Sequence, residues 1–142
     1  MRARFDICCA AMNASVCDVD LELPPEPSSV AEARHAVRDL ARATGAPEQE
    51  VALAVSEAVS NAVIHAFRFG KKGLVRVRGR HTGGELVVTI ADNGVGMIPD
   101  LDNPGLGVGT SLISRLSEKA TFESSDEGTI VTMRFKANEG GA

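Results

Sequence analysis

Tryptophan and tyrosine are absent, and only five phenylalanines occur in 142 residues. The core must therefore be built from Val, Leu, Ile and Ala, and the chain lacks the aromatic platforms on which single-stranded nucleic acids stack. Basic excess is missing too: 15 Lys and Arg stand against 19 Asp and Glu, a formal net charge of −4 with a pI near 5.4. That balance argues against a general phosphate-backbone binder, so no direct contact with nucleic acid is expected. Long apolar runs are also lacking. The stretch from Ile7 to Met12 is apolar but too short for a signal peptide, and nothing approaches the length of a transmembrane helix. Cys8, Cys9 and Cys17 crowd the start without a CxxC pair or a His spacing suited to zinc, and they read as reduced thiols. These absences together predict a soluble, cytoplasmic protein with no membrane partner.

What is present is a chain that is 44% hydrophobic with mean hydropathy near zero, enough for one globular domain over residues 1–142 with its first 14 residues loosely ordered. Alternation of Val16, Val19, Leu21 and Leu23 with acids predicts a strand from Ser15 to Leu23. Pro24 to Pro27 end it, and Ser28 or Ser29 can cap a helix running to Thr44 and stopped by Gly45. Val30, Ala33, Val37, Leu40 and Ala41 form its inward stripe. Two strands follow at Leu74 and Glu85, joined through Thr82-Gly83-Gly84 as a hairpin. Arg76, Arg78 and Arg80 share one side of the first, which is either a solvated sheet face or a docking patch for an acidic partner. A glycine-rich crossover leads to a third helix carrying Leu112, Ile113 and Leu116 inward. A last hairpin turns at Asp126-Glu127-Gly128. Helices grouped on one face of a mostly antiparallel sheet make an α+β, two-layer α/β sandwich.

Between those hairpins and the first helix lies EVALAVSEAVSNAVIHAFR, Glu50 to Arg68, which reads as one amphipathic helix opened by Pro47 in its first turn. At 100° per residue Val51, Val55, Ala58, Val59, Ala62 and Ala66 fall on an apolar arc. Glu57, Asn61, His65 and Arg68 stack on the other side. Leu53 and Ile64 share that polar ridge, which predicts a covered cleft there rather than plain solvent surface. Read alone, the polar residues need be no more than a solvated face. Glycines 94, 96, 105, 107 and 109, around a strand-to-helix crossover, let backbone approach a ligand and expose amides at a helix start, the ingredients of an anion site. They form neither a Walker A loop nor a GxGxxG fingerprint, and DNGVGMIPDLD lacks the acid register of a calcium-binding EF-hand.

Order separates these readings. Glu57 and Asn61 four apart on a helix, DNGVG after a strand, GLGVG opening a helix and EGT before the last strand resemble the nucleotide-binding boxes of the GHKL (histidine-kinase-like) ATPase superfamily. VSEAVSNAVIHAF is most similar to the anti-sigma-factor serine protein kinases, and the resemblance spans Pro47 to Phe135. It implies a Bergerat-type ATP-binding fold with ATP and Mg²⁺ as ligands. Asn61 would ligate Mg²⁺ and Glu57 would be the catalytic base toward a seryl hydroxyl. Asp92 would accept from the adenine amino group, with Gly94 and Gly96 beneath the purine and Thr129 reaching Asp92 or its adenine-bound water. Gly105, Gly107, Gly109 and Thr110 would surround the phosphates, and His65 would border them or make a structural hydrogen bond. The implied activity is phosphorylation of an anti-anti-sigma (STAS-type) protein on serine, with sequestration of a sigma factor by a homodimer. The segment between Met97 and Gly105, IPDLDNP, has no Lys or Arg, so Arg68, Lys71 or Lys72 and helix-end amides would offset the triphosphate. The alternative is a module that binds nucleotide and partner but transfers no phosphate.

Overall fold

In the computed structural model, residues 18–66, 73–93, 112–125 and 128–138 are described. Period-two alternation decides which way each strand faces. In β2 (Val75–Thr82), Val75, Val77 and His81 are buried and Arg76, Arg78 and Arg80 are exposed. In β3 (Glu85–Asp92), Leu86, Val88 and Ile90 turn inward. These strands join β1 (Asp18–Leu23), β4 (Lys119–Ser125) and β5 (Gly128–Lys136) in one sheet of order β1-β2-β3-β5-β4, antiparallel throughout. The β2–β3 turn is made by Gly83 and Gly84, both at positive φ (54° and 83°), as a tight two-residue hairpin requires.

The described helices cover one face. α1 (Pro27–Thr44) and α2 (Glu48–Asn61) place Val37, Leu40, Val51, Val55 and Val59 against Leu21, Val77, Val88, Met133 and Phe135, all of them buried. The short α3, residues 112–116, adds Ile113, also fully buried. Each such aliphatic side chain removed from water contributes about 1.5–3 kcal/mol, so this layer is the main source of stability. Gly79 lets α1 come close to β2, since a Cβ there would lie 2.6 Å from Leu40 Cδ2. Among the described residues no helix is long and apolar enough to cross a membrane.

Local details differ from the sequence expectations at several points. Neither Ser28 nor Ser29 caps α1. Its N-cap is Glu26 in extended geometry without a side-chain cap, and Pro27 fills the first turn, where its missing N–H is not needed. Ser29 instead donates to the Pro24 carbonyl at 2.6 Å, tying the helix start to the preceding turn. Gly45 does end α1, at φ 79° with its amide donating to the Ala41 carbonyl. Pro47 is the N-cap of α2 rather than part of its first turn, and Arg42 bridges to Glu48 at 3.1 Å across the joint. The helix expected to run to Arg68 ends at Asn61 and widens into a π-helical turn over Ala62–Ala66. The Ala62 amide is shared between the carbonyls of Ala58 and Val59 at this junction. The expected strand start at Ser15 and the turn containing Lys71 and Lys72 lie outside the described residues, as does Arg68.

Among the described residues, no helix lies on the other face of the sheet. Asp20 meets Arg76 at 3.0 Å and Arg78 at 3.9 Å, and Glu85 meets Arg134 at 3.1 Å. By accepting a hydrogen bond and then by its charge, Asp20 raises the Arg76 guanidinium pKa above its ordinary value. Arginines that share an acid on their own face match a solvated sheet surface better than a patch awaiting an acidic partner.

Candidate functional site

The inward row of β3 ends in a carboxylate. Parity puts Asp92 on the same side as Leu86, Val88 and Ile90, but at the strand end, where it is half-buried. Its neighbours across the sheet are Val75 of β2 and Thr129 of β5. Thr129 is only 3% exposed, so a hydroxyl and a carboxylate share the covered side of two central strands. The last turn of α2 arrives at the same place. Ala58, Asn61 and Ala62 line a small recess together with Ile90, Asp92, Thr129 and Val131, whose cavity volume is about 10 Å³, room for about one water molecule. Four lining side chains are apolar, two of them alanines, and the three polar ones sit around them.

The chemistry of this lining, rather than its volume, matches one wall of a site for a flat heteroaromatic base. Small apolar side chains take its faces, while a carboxylate can accept from an exocyclic amine and a hydroxyl can donate or accept. Asn61 contributes a neutral oxygen, a hard donor that suits a hard cation also held by phosphate oxygens and water. Among the described residues no group of three or more His, Cys, Asp or Glu could hold a metal ion by itself.

Three of the residues expected from the sequence thus meet: Asn61, Asp92 and Thr129. Glu57 is half-buried one turn before Asn61 and does not line the recess. His65 lies in the π-helical turn, and its side chain is outside the described residues. Gly94, Gly96, Gly105, Gly107, Gly109 and Thr110 lie outside them as well. The covered cleft expected along the Leu53–Ile64 ridge is not found: Leu53 is 46% and Ile64 57% exposed. Glu57 at 40° from Leu53 faces neither the core nor the sheet squarely, and the ridge beside it opens to solvent.

Three supporting residues carry weight that sequence reasoning missed. Gly128 has φ 137°, and a Cβ there would collide with the carbonyl of Asp92 and crowd Asn93 Cα. Only glycine lets β5 begin against the end of β3 and deliver Thr129 beside Asp92. Asn93 Oδ1 accepts the Leu74 amide at 2.9 Å, anchoring the end of β3 to the start of β2. Ser124 Oγ lies 3.4 Å from Thr129 Oγ1 across the β4–β5 pair. The glycine before Thr129 was visible as part of EGT, but its reason is a contact with a strand about 35 residues away in sequence.

The fold is that of an α+β two-layer domain, and comparison with known proteins gives the family. Residues 23–135 match the model of the histidine kinase-like ATPase domain, whose nature implies ATP binding. The chain is 31% identical over 103 residues to an anti-sigma F factor of Clostridium botulinum, covering 63% of this chain and 71% of that one. It is 28% identical over 102 residues to the anti-sigma F factor of Clostridium perfringens, covering 63% and 72%. The chain belongs to the histidine kinase-like ATPase domain family, in its anti-sigma-factor branch. Among solved structures it resembles the RsbU and RsbW domains of Rv1364c from Mycobacterium tuberculosis (TM-score 0.62, 22% identity, 84% of this chain and 32% of that one). It also resembles the blue-light activated histidine kinase EL346 of Erythrobacter litoralis (TM-score 0.56, 24% identity, 78% and 41%). The chain spans about a third to two fifths of those two proteins, and the likeness supports the fold alone.

Proposed function

We propose that the protein is a cytoplasmic anti-sigma factor and serine kinase. In this reading it binds ATP with Mg²⁺, holds a sigma factor, and phosphorylates a STAS-type anti-anti-sigma protein on serine. The observation that carries the reading is the meeting of Asn61, Asp92 and Thr129 at one recess, with Glu57 one helical turn before Asn61 on α2. Bound ATP supplies the γ-phosphoryl group, and Mg²⁺ offsets its charge. Asp92 accepts a hydrogen bond from the adenine amine, and Thr129 supports that carboxylate from the neighbouring strand. Ala58, Ala62, Ile90 and Val131 exclude water from the faces of the base. Asn61 offers its side-chain oxygen to the cation. Glu57 accepts the proton of the incoming seryl hydroxyl, which must come within hydrogen-bond reach of its carboxylate. The new phosphate brings about −1.5 to −2 charges to the partner's contact surface, weakening its hold and returning the kinase to the sigma factor. The working unit is proposed to be a homodimer.

Calorimetry with MgATP and a phosphotransfer assay test this directly. Asp92→Asn replaces the acceptor with a group that cannot match the adenine amine equally well, and nucleotide affinity should fall about tenfold to a hundredfold. Glu57→Ala should bind MgATP as the wild type does yet transfer phosphate at a rate lower by about two orders of magnitude or more. Unchanged affinity in Asp92→Asn would remove the adenine assignment, and undiminished transfer in Glu57→Ala would remove the base. A second reading, a module that binds without transfer, is favoured by the lack of Lys and Arg between Met97 and Gly105. Tight MgATP binding with no transfer to any STAS-type protein of the same organism would decide for it.

A further inference from the structure

Among the described residues, Leu53 and Ile64 are the only large apolar side chains on helices that are exposed. Single exposed apolar residues are ordinary on protein surfaces. These two are set apart by what stands between them. At 100° per residue Leu53, Glu57 and Ser60 share one ridge of α2, and Ile64 continues it through the π-helical turn. With a rise of 1.5 Å per residue, Leu53 lies about 6 Å before Glu57 along the axis and Ile64 about 10 Å beyond it. Asn61, on the neighbouring row, turns into the recess. Glu57 therefore sits on a seam, with nucleotide recess on one side and an exposed ridge bearing two apolar side chains on the other.

We infer that Leu53 and Ile64 are the docking contacts for the serine-bearing segment of the substrate protein, which presents apolar side chains on both sides of its serine. The inference rests on the kinase reading and names the surface that reading requires. A seryl hydroxyl reaches the Glu57 carboxylate only from the open side of the seam, because the other side is the recess. Any polypeptide that brings it there covers the ridge. Covering Leu53 and Ile64 then removes apolar surface from water only in the docked complex, a gain of the order of tenfold in affinity for each. If the segment is helical, its apolar residues fall about one turn from the serine on one side and about two turns on the other, mirroring the spacing of Leu53 and Ile64 about Glu57. Neither residue touches the recess, so docking and nucleotide binding are separable.

The test uses the full chain, MgATP and a purified STAS-type protein of the same organism that the wild type retains, with Leu53→Asp and Ile64→Asp compared with wild type. Both positions are exposed, so both variants should fold and bind MgATP with wild-type affinity. The expected result is a rise in KM for the STAS-type protein of about tenfold or more in each variant, with kcat within about twofold of wild type. Unchanged KM with intact transfer would overturn the docking surface and leave the kinase reading standing. Wild type that retains the partner without transferring phosphate, with retention lost in both variants, would do the reverse. Loss of retention traced to conversion of a dimer into a monomer would assign the ridge to a second copy of this chain and overturn the inference.

Discussion

The two faces of the sheet come from the same strands and behave differently. On the covered face Leu86, Val88 and Ile90 of β3 are at most 2% exposed, and Met133 and Phe135 of β5 likewise. On the bare face the alternate residues Val87 and Thr89 remain half-exposed, and charges are met within the face by Asp20 and Glu85. The covered face gains its stability from exclusion of water, whereas the bare face holds ion pairs whose net contribution in water is small. The site lies where the covered face stops being apolar. Asp92 and Thr129 take the next inward positions after Ile90 and Val131, beside the end of α2, so a polar pair inherits a water-poor setting that the apolar row created. There a hydrogen bond to a ligand faces less competition from solvent than anywhere on the bare face.

The difference can be broken at three depths. The largest effect belongs to the covered face. Phe135→Ala empties a fully packed position and should lower unfolding free energy by about 3–5 kcal/mol, read from urea denaturation. A loss below about 1 kcal/mol would mean that the helices do not press on β5 as described. At the boundary, Gly128→Ala forces a Cβ into the Asp92 carbonyl and a strained φ. It should destabilise by about 1–3 kcal/mol and also weaken MgATP binding, measured on the folded fraction. Weaker stability with intact nucleotide affinity would separate the strand junction from the site. On the bare face, Asp20→Asn removes the partner of Arg76 and Arg78, yet Tm should move by less than about 2 °C, and by less in high salt than in low. A larger change, or one that depends on protein concentration, would show that the face is covered by a partner in solution.

Much of this plan was legible in the chain. Alternation in LVRVRGRH and ELVVTIAD identified both central strands and their sides, and Gly83-Gly84 identified their turn. The apolar stripe of α1 is the buried one, and Gly45 stops the helix where its left-handed geometry was expected. These are local properties, set by side-chain period and by backbone sterics within a few residues. The recess was legible only as a resemblance. Nothing in the period of β5 says that it inserts between β3 and β4 and pairs with both. That pairing is what puts Thr129 opposite Asp92. The misreadings have the same origin. Leu53 and Ile64 were placed correctly on a ridge, but whether a ridge is covered depends on neighbours contributed by distant segments. The helix was drawn through to Arg68 because the pattern continued, while the backbone widened at Ala62 as α2 reached the recess.

Sequence by itself determined most of the elements, their inward and outward sides, the acidic and aromatic-poor composition, and the set of candidate residues. Tertiary structure decided which of those residues meet. It seated Asn61, Asp92 and Thr129 around one small recess, made Gly128 obligatory through a contact with a distant strand, and left Leu53 and Ile64 open on either side of Glu57. The reason is physical: period and propensity act over one or two turns of chain, whereas burial and pairing follow from which distant surfaces the hydrophobic effect brings together.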